Sequence, residues 1–152
     1  MKAIAITAAA QANGNVDALQ EIEIEKPIAH GHDLLVQVNA ISVNPVDTKV
    51  RAGFNADTPR ILGWDAVGVV ADVGDAVTLF KPGDTVWYAG ALTRPGSNSE
   101  YQLVDERIVA LKPGSLDNAS AAALPLTAIT AWEMLFDRLG VNENGNEGDV
   151  LL

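Results

Sequence analysis

A chain of 152 residues, 48% of them hydrophobic, has the length of about one domain and enough apolar material for a sizeable core. Its formal net charge of −10, with ten scattered basic residues, argues against nucleic-acid binding, and the absence of cysteine excludes disulfides, thiolate nucleophiles and Cys-ligated zinc. No apolar run approaches the roughly 18 residues of a membrane span, and residues 1–10 lack the charge and apolar length of a signal peptide. We therefore expect a cytoplasmic protein with neither a nucleic-acid nor a membrane partner.

The first part of the chain predicts short antiparallel strands. Residues 2–7 and 19–27 alternate apolar and polar side chains, which is typical of half-buried strands, and a meander is the natural inference. Within residues 33–44 the alternation slips in phase at Ile41 and Val43, before an Asn-Pro pair in a loop. Such a slip indicates either a bulge or a strand that passes from a half-exposed edge into a fully covered layer. Glycine and proline recur roughly every eight to twelve residues, and this spacing suits a barrel or a sandwich.

A more apolar strand follows in the middle of the chain. Residues 61–74 hold only two charged side chains, so we expect a buried strand with Trp64 and Asp65 side by side at its head. A Lys-Pro-Gly-Asp turn at 81–84 precedes the next strand, and residues 99–114 predict two short strands that flank a polar break.

The pattern becomes helical near residue 115. Ser115 or Asp117 can cap a short Ala-rich helix, Pro125 can begin a second helix, and Gly140 can close it. Apolar residues at three-four spacing predict a buried stripe on the second helix: Leu126, Ile129, Trp132, Leu135, Phe136 and Leu139. Residues 150–152 read as the start of a strand, which suggests a chain truncated at the threshold of a second domain.

Five segments together carry a family resemblance: NPVDTKVRAG, PRILGWDAVGVV, VGDAVTLFKPGDTVW, LPLTAITAWEML and GDVLL. Their order and spacing, over essentially the whole chain, resemble the medium-chain dehydrogenase/reductase superfamily, and specifically its zinc-free quinone oxidoreductase, zeta-crystallin-like branch. The resemblance implies a mainly β fold, with a GroES-like, partly open β-barrel and short helices over residues 1–122 that carries the substrate site. Residues 123–152 would form the connecting helix and the first residues of a Rossmann domain that is otherwise absent.

The resemblance also implies that no zinc is bound. In zinc-dependent relatives a Cys ends the strand that here ends at Asn44, and a His-Glu pair stands where this chain has Trp64 and Asp65. Zinc prefers thiolate or imidazole ligands, which an indole and a carboxamide cannot replace. His30 and His32 have a possible ligand spacing but no third ligand nearby, so we expect them to be solvated. Asp65 would bond to backbone or to a basic neighbour.

The activity implied by the resemblance is hydride transfer from NADPH or NADH to a quinone or an α,β-unsaturated carbonyl. Without zinc, hydrogen-bond donors must stabilise the anion that develops on the acceptor. Asn44, Tyr88 and Lys49 are the candidate catalytic residues, although Lys49 replaces an aromatic residue common in these relatives. Asn44 and Thr127 are the candidate cofactor contacts, and Trp64 is the candidate residue of the substrate pocket.

Several alternatives stay open at this point. Trp64 could instead close the barrel mouth by packing, Asn44 could cap the Pro45 turn, and Tyr88 could lie in the core. Asp47 is more readily a helix cap than a catalytic group. The protein could also be a zinc-type alcohol dehydrogenase-like protein with a lost metal site, or a non-catalytic GroES-like binding or assembly module. The parent enzyme is expected to be a homodimer that takes a small-molecule substrate, whereas this chain alone would be inactive.

Overall fold

The computed structural model describes residues 1–7, 19–53 and 58–142. Eight strands lie in this part of the chain: β1 (Lys2–Ile6), β2 (Leu19–Glu23), β3 (Asp33–Ser42), β4 (Arg60–Ile61), β5 (Asp65–Val73), β6 (Thr85–Ala89), β7 (Tyr101–Asp105) and β8 (Val109–Leu111). The helices described are α1 (Pro45–Gly53), α2 (Asn118–Ala122) and α3 (Pro125–Trp132), together with a 3₁₀ turn (Glu106–Ile108) and a π-helical segment (Glu133–Arg138). The predicted strand 150–152 lies outside the described residues.

The strands form two antiparallel sheets, with the orders β2-β1-β4 and β7-β3-β5-β6-β8. The segment before β7 joins them, because the Ile4 N–H donates to the Asn98 carbonyl at 2.8 Å and the Glu100 N–H donates to the Lys2 carbonyl at 3.1 Å. The result is a partly open barrel. The meander expected for the first strands is present in the pairing of β1 with β2, but it does not continue, because β3 lies in the larger sheet between β5 and β7.

The pairing of β3 with β5 places the end of one strand beside the head of the other. Ser42 pairs with Asp65, and the register shifts between Leu35 and Val36 and again between Val38 and Ala40. A bulge is therefore present, but earlier than the slip at Ile41 and Val43 predicted. Gly68 is needed in β5, because a Cβ there would stand 2.3 Å from the Gln37 carbonyl oxygen.

The strands of the larger sheet contribute the main core, which consists of Leu34, Val36, Ala66, Val70, Val86, Tyr88 and Val104. A second cluster holds Ile6, Leu62 and Trp64, against which Val46 and Val50 of α1 pack. Each fully buried Val, Leu or Ile side chain of these clusters stabilises the fold by about 1.5–3 kcal/mol relative to exposure. The two clusters hold the head of β5 between the barrel and α1.

The C-terminal helices begin as predicted but continue differently. Asp117 caps α2 by accepting a hydrogen bond from the Ser120 N–H at 2.7 Å, and Pro125 opens α3. After Trp132 the helix widens into a π-helical segment, which the pattern did not predict, and Gly140, at φ 65°, ends it. No helix within the described ranges is long and apolar enough to cross a membrane.

The apolar stripe of this helix is mostly exposed, contrary to the buried face expected. Leu126 and Phe136 are half-buried. The exposed fractions are 47% for Ile129, 53% for Trp132, 39% for Leu135 and 57% for Leu139. The buried stripe that the spacing predicted is therefore wrong for most of its residues in the part of the chain that the structure describes.

Candidate functional site

The carboxylate of Asp65 connects three elements at the barrel mouth. Asp65 is fully buried at the start of β5. Its Oδ2 accepts a hydrogen bond from the Asn44 Nδ2 at 2.8 Å, and its Oδ1 accepts one from the Leu126 N–H at 2.8 Å. Of the two partners expected for Asp65, the structure thus has backbone rather than a basic neighbour. One side chain joins the end of β3, the head of β5 and the start of α3.

The bond to Leu126 takes the place of a helix cap. The first residues of a helix leave backbone N–H groups without acceptors, and Ser, Thr, Asp or Asn side chains usually supply them. Here the N-cap residue of α3 is Leu124, which makes no side-chain cap. Asp65 supplies the missing acceptor from β5, so the position of α3 depends on the barrel.

The environment of Asp65 acts on its ionisation in two directions. Burial raises the pKa of the Asp65 carboxyl above its ordinary value, because the charged form loses its water. The hydrogen bonds from Asn44 and Leu126 act in the opposite direction, and the nearby charge of Asp47 raises the pKa further. Two donors, both neutral, therefore compensate only part of the cost of burying this charge.

Asn44 is held at its backbone as well as at its side chain. Its N–H donates to the Asp47 Oδ2 at 2.8 Å, and the Asp47 N–H donates back to the Asn44 carbonyl at 2.9 Å. The first of these bonds, from the N–H of the residue before α1 to the carboxylate of its third residue, is half of a capping box, which confirms the capping role expected for Asp47. The Asn44 carboxamide bonds to Asp65 instead of closing the Pro45 turn, and Asn44 is 7% exposed.

Trp64 and Tyr88 both lie in the core. Trp64 is 4% exposed and packs in the cluster of Ile6 and Leu62. This position agrees with a packing role for Trp64 rather than with a place in the wall of the substrate pocket. Tyr88 is 2% exposed, and its hydroxyl donates to the Gln102 Oε1 at 2.9 Å. Burial raises the pKa of Tyr88 far above its ordinary value. Its phenol is therefore engaged in the core and is not free in a cleft.

Lys49 and Thr127 lie on the surface of α1 and α3. The Thr127 hydroxyl donates to the carbonyls of Ala123 at 3.2 Å and Leu124 at 3.0 Å, in the first turn of α3. Asp65 thus brings Asn44 together with the turn that carries Thr127. Neither Tyr88 nor Lys49 takes part in this network of hydrogen bonds.

The residues at the mouth do not match the donors that zinc prefers. Both Asp65 oxygens already accept hydrogen bonds, and an indole and a carboxamide are poor substitutes for thiolate and imidazole. Within the described ranges no three His, Asp or Glu side chains are grouped so that they could hold a metal ion. Both histidines are exposed, as expected, and the His32 Nδ1 also lies 2.7 Å from the Glu106 Oε1.

Sequence reasoning missed two parts of this arrangement. The link from Asp65 to α3 was not foreseen, although a carboxylate inside the apolar stretch 61–74 signals a buried charge that needs donors. The partner of Tyr88, Gln102, alternates with apolar residues in β7 like any strand residue, so no pattern in the sequence distinguishes it.

Comparison with known proteins shows the family to which this chain belongs. Residues 30–114, more than half of the chain, match the family model of the alcohol dehydrogenase GroES-like domain. A zinc-type alcohol dehydrogenase-like protein of Staphylococcus epidermidis is 47% identical over 155 residues, an alignment that covers 100% of this chain and 46% of that protein.

Two crystal structures agree with this assignment. A protein of Rhizobium etli, provisionally named a zinc-dependent alcohol dehydrogenase, is 56% identical with a TM-score of 0.86, over 94% of this chain and 42% of that one. An Escherichia coli quinone oxidoreductase complexed with NADPH is 27% identical with a TM-score of 0.75, over 89% and 40%. The chain thus spans less than half the length of each relative. It belongs to the alcohol dehydrogenase GroES-like domain family, within the medium-chain dehydrogenase/reductase superfamily.

Proposed function

We propose that this chain is the substrate-binding, N-terminal part of an oxidoreductase that uses NADPH or NADH and works without zinc. The acceptor would be a quinone or an α,β-unsaturated carbonyl. The observation that carries this proposal is the buried network of Asn44, Asp65 and Leu126 at 2.8 Å. In zinc-dependent relatives metal ligands stand at these strand ends, whereas here the carboxylate and the amide are engaged with each other and with α3.

In this proposal the bound nucleotide supplies the hydride, and the chain orients and shields the reacting groups. Asn44 and Thr127 would contact the nicotinamide end, because Asp65 bonds both to Asn44 and to Leu126, the residue before Thr127. Asn44 is also the first of the three proposed catalytic residues, as a donor through the amide N–H that does not face Asp65. Lys49 is exposed on α1 and Tyr88 is engaged with Gln102, so either would have to move in order to reach an acceptor.

The remaining expectations about the whole protein are also proposals. A homodimer agrees with the exposed apolar face of α3 and the π-helical segment, since large exposed apolar patches favour association. A small-molecule substrate and a cytoplasmic location are proposed from the sequence alone, and the net charge of −10 argues against a nucleic-acid partner.

A second candidate is an alcohol dehydrogenase with a zinc requirement, or one whose metal site is lost. It is favoured by the names of the Staphylococcus epidermidis and Rhizobium etli proteins, which are 47% and 56% identical to this chain. The residues at the mouth argue against the zinc-requiring form, because they include neither cysteine nor histidine.

The experiment uses the protein at the length of its relatives, purified without a tag or added metal. We expect oxidation of NADPH or NADH with quinones and enones, unchanged activity after chelation, and well under one equivalent of zinc by elemental analysis. Reduction of the nucleotide by simple alcohols that stops on chelation and returns with zinc would establish the second candidate instead. Full-length protein that binds no nucleotide would point to the non-catalytic module.

The two proposed nucleotide contacts can be tested by replacing each side chain with alanine. Asn44→Ala and Thr127→Ala should each raise the KM for the nucleotide, because loss of one hydrogen bond to a ligand costs about 1 kcal/mol, or up to about 3 kcal/mol where a buried partner is left unpaired. Thr130→Ala is the matched control, since its hydroxyl donates to the Leu126 carbonyl at 2.8 Å one turn further along the same exposed helix. Wild-type kinetics in both test variants would remove Asn44 and Thr127 from the site.

A further inference from the structure

We propose that Asp65 is a positioning residue of the nucleotide site: it determines which atoms of Asn44 a ligand meets and fastens the first turn of α3 at the same point. This inference rests on the proposed function, because the ligand in question is the nicotinamide end of the nucleotide. It adds that Asn44 presents its carboxamide oxygen and therefore acts on the nucleotide as a hydrogen-bond acceptor.

The orientation of the Asn44 carboxamide follows from the chemistry of its partner. An ionised carboxylate can only accept hydrogen bonds, whereas a carboxamide has a donating nitrogen and an accepting oxygen. The amide nitrogen must therefore face the Asp65 Oδ2, at 2.8 Å, and the Asn44 Oδ1 must point elsewhere. Asp47 holds the backbone of Asn44 at 2.8 and 2.9 Å, so the residue is restrained at both ends.

Asp65 can act in this way because it is itself fixed. Its backbone pairs with Ser42 across β3 and β5, and its carbonyl accepts a hydrogen bond from the Ser97 hydroxyl at 3.2 Å. The side chain is fully buried. A fixed acceptor at the head of a strand therefore determines the geometry of the groups that bond to it.

The second oxygen couples α3 to the same point. Leu126 is the second residue of α3, its N–H donates to the Asp65 Oδ1 at 2.8 Å, and Leu124 makes no side-chain cap. Thr127 is the next residue. The two proposed nucleotide contacts come from distant parts of the chain, and the two oxygens of one carboxylate bond to Asn44 and to the residue that precedes Thr127.

This arrangement specifies the chemistry of the ligand. A group that meets the Asn44 Oδ1 must donate a hydrogen bond, and the nicotinamide end of the nucleotide offers ribose hydroxyls and a carboxamide N–H₂. Loss of the orientation should therefore weaken nucleotide binding and leave the KM for the electron acceptor nearly unchanged.

The test uses Asp65→Asn in the protein at the length of its relatives. The substitution keeps the shape but replaces one accepting oxygen with a donating nitrogen, which must face either Asn44 or Leu126. If the Asn44 carboxamide turns over to accept from it, the amide nitrogen replaces the oxygen toward the ligand. We expect the dissociation constant for NADPH, measured by nucleotide fluorescence, to rise about tenfold. The melting temperature should fall only slightly.

Rescue separates positioning from general stability. The double variant Asn44→Asp/Asp65→Asn restores a donor–acceptor pair with its direction reversed and returns an accepting oxygen to the ligand side. We expect it to recover most of the nucleotide affinity lost in Asp65→Asn. If Asp65→Asn does not fold, the double variant is compared with Asn44→Asp alone, in which two carboxylates face each other, and it should bind the nucleotide more tightly.

The outcomes distinguish the two proposals. Wild-type affinity in Asp65→Asn, or a double variant that recovers its melting temperature but not its affinity, overturns the positioning role and leaves the proposed function standing. If Asp65→Asn does not fold, the positioning role is likewise overturned when the double variant binds the nucleotide no more tightly than Asn44→Asp. Wild-type protein that binds no nucleotide overturns both.

Discussion

Two buried carboxyls at different places in the barrel have pKa values that are shifted in opposite directions, although burial by itself raises both. Asp65 at the head of β5 and Glu106 between β7 and β8 are 0% and 2% exposed. Burial raises the pKa of Asp65, whereas the hydrogen bond from His32 holds the pKa of Glu106 below its ordinary value. The difference teaches that the donors around a buried carboxyl, and not burial alone, decide which form of it the fold favours.

The donors differ in number and in kind. The Glu106 Oε1 lies 2.7 Å from His32, and its Oε2 accepts from the backbone N–H groups of Thr78 at 2.9 Å and Leu79 at 2.7 Å. Asp65 has two neutral donors, and the like charge of Asp47 raises its pKa further. Glu106 thus fastens a turn to the barrel, while Asp65 is retained at an electrostatic cost, which agrees with a role at the site.

The largest loss of stability should come from Glu106→Leu. This change leaves the N–H groups of Thr78 and Leu79 without their acceptor and also removes the partner of His32. The urea midpoint of unfolding should fall strongly. Glu106→Gln, which keeps one accepting oxygen, is the matched control and should lose less. Equal midpoints in the two variants would show that the hydrogen bonds of Glu106 do not anchor this turn.

Asp65→Ala should have the next largest effect. It leaves the Asn44 amide and the Leu126 N–H without their acceptor, and unpaired buried groups cost about 1–3 kcal/mol each. Release of the buried charge offsets part of this, so we expect a net loss of about 2 kcal/mol in the free energy of unfolding. Urea denaturation measures the loss, and an unchanged or higher free energy would contradict the inferred anchoring of α3.

The pH dependence of the two sites should have opposite signs. The ordinary carboxyl pKa of Glu106 is 4.5 and its folded pKa is lower, so its stabilising contribution is present above that value and lost as the pH falls through the folded pKa. The ordinary value for Asp65 is 3.8 and its folded pKa is higher. Its contribution is therefore complete below 3.8 and declines as the pH rises through the folded pKa.

Unfolding free energies measured at several pH values can show this contrast directly. As the pH falls, the wild type should lose stability relative to Glu106→Gln and gain stability relative to Asp65→Asn. Difference curves of the same sign would mean that the environments of the two carboxyls are more alike than the structure indicates.

The smallest effect is expected from His32→Ala. His32 is 47% exposed, so its removal costs little packing, but it takes away the group that lowers the pKa of Glu106 most. Stability at neutral pH should fall slightly, and the acid unfolding transition should move to higher pH. His30→Ala in the same turn is the control and should leave the transition in place. If the two variants unfold at the same acidic pH, His32 is not the group that lowers the pKa of Glu106.

The general fold was predictable because periodicity and turn residues are local signals. The strand that begins at Asp65, the turn at 81–84, the Asp117 cap and the Pro125 start all agree with the structure. The mainly β, GroES-like fold is confirmed as well. Pairing between distant strands is not a local signal, so alternation in β3 could not show that β7 lies beside it.

The candidate site was predictable only in part. Asn44 and Asp65 were recognised as residues at strand ends, but their mutual bond depends on the pairing of Ser42 with Asp65 across two strands. Tyr88 was left between core and cleft, because strand alternation shows which face a side chain occupies but not what covers that face. The π-helical segment after Trp132 departs from a regular α-helical pattern without any glycine or proline to signal it.

The strand order also has a consequence for the order of events in folding. β3 lies between β5 and β7 in the larger sheet, and β7 is synthesised long after both of the others. Until Tyr101–Asp105 has emerged from the ribosome, one edge of β3 has no strand to pair with, and an open edge is a template for pairing with other chains. Formation of this sheet is therefore expected to be slow and most prone to aggregation before β7 docks, since pairing of distant strands lengthens the search for the native state.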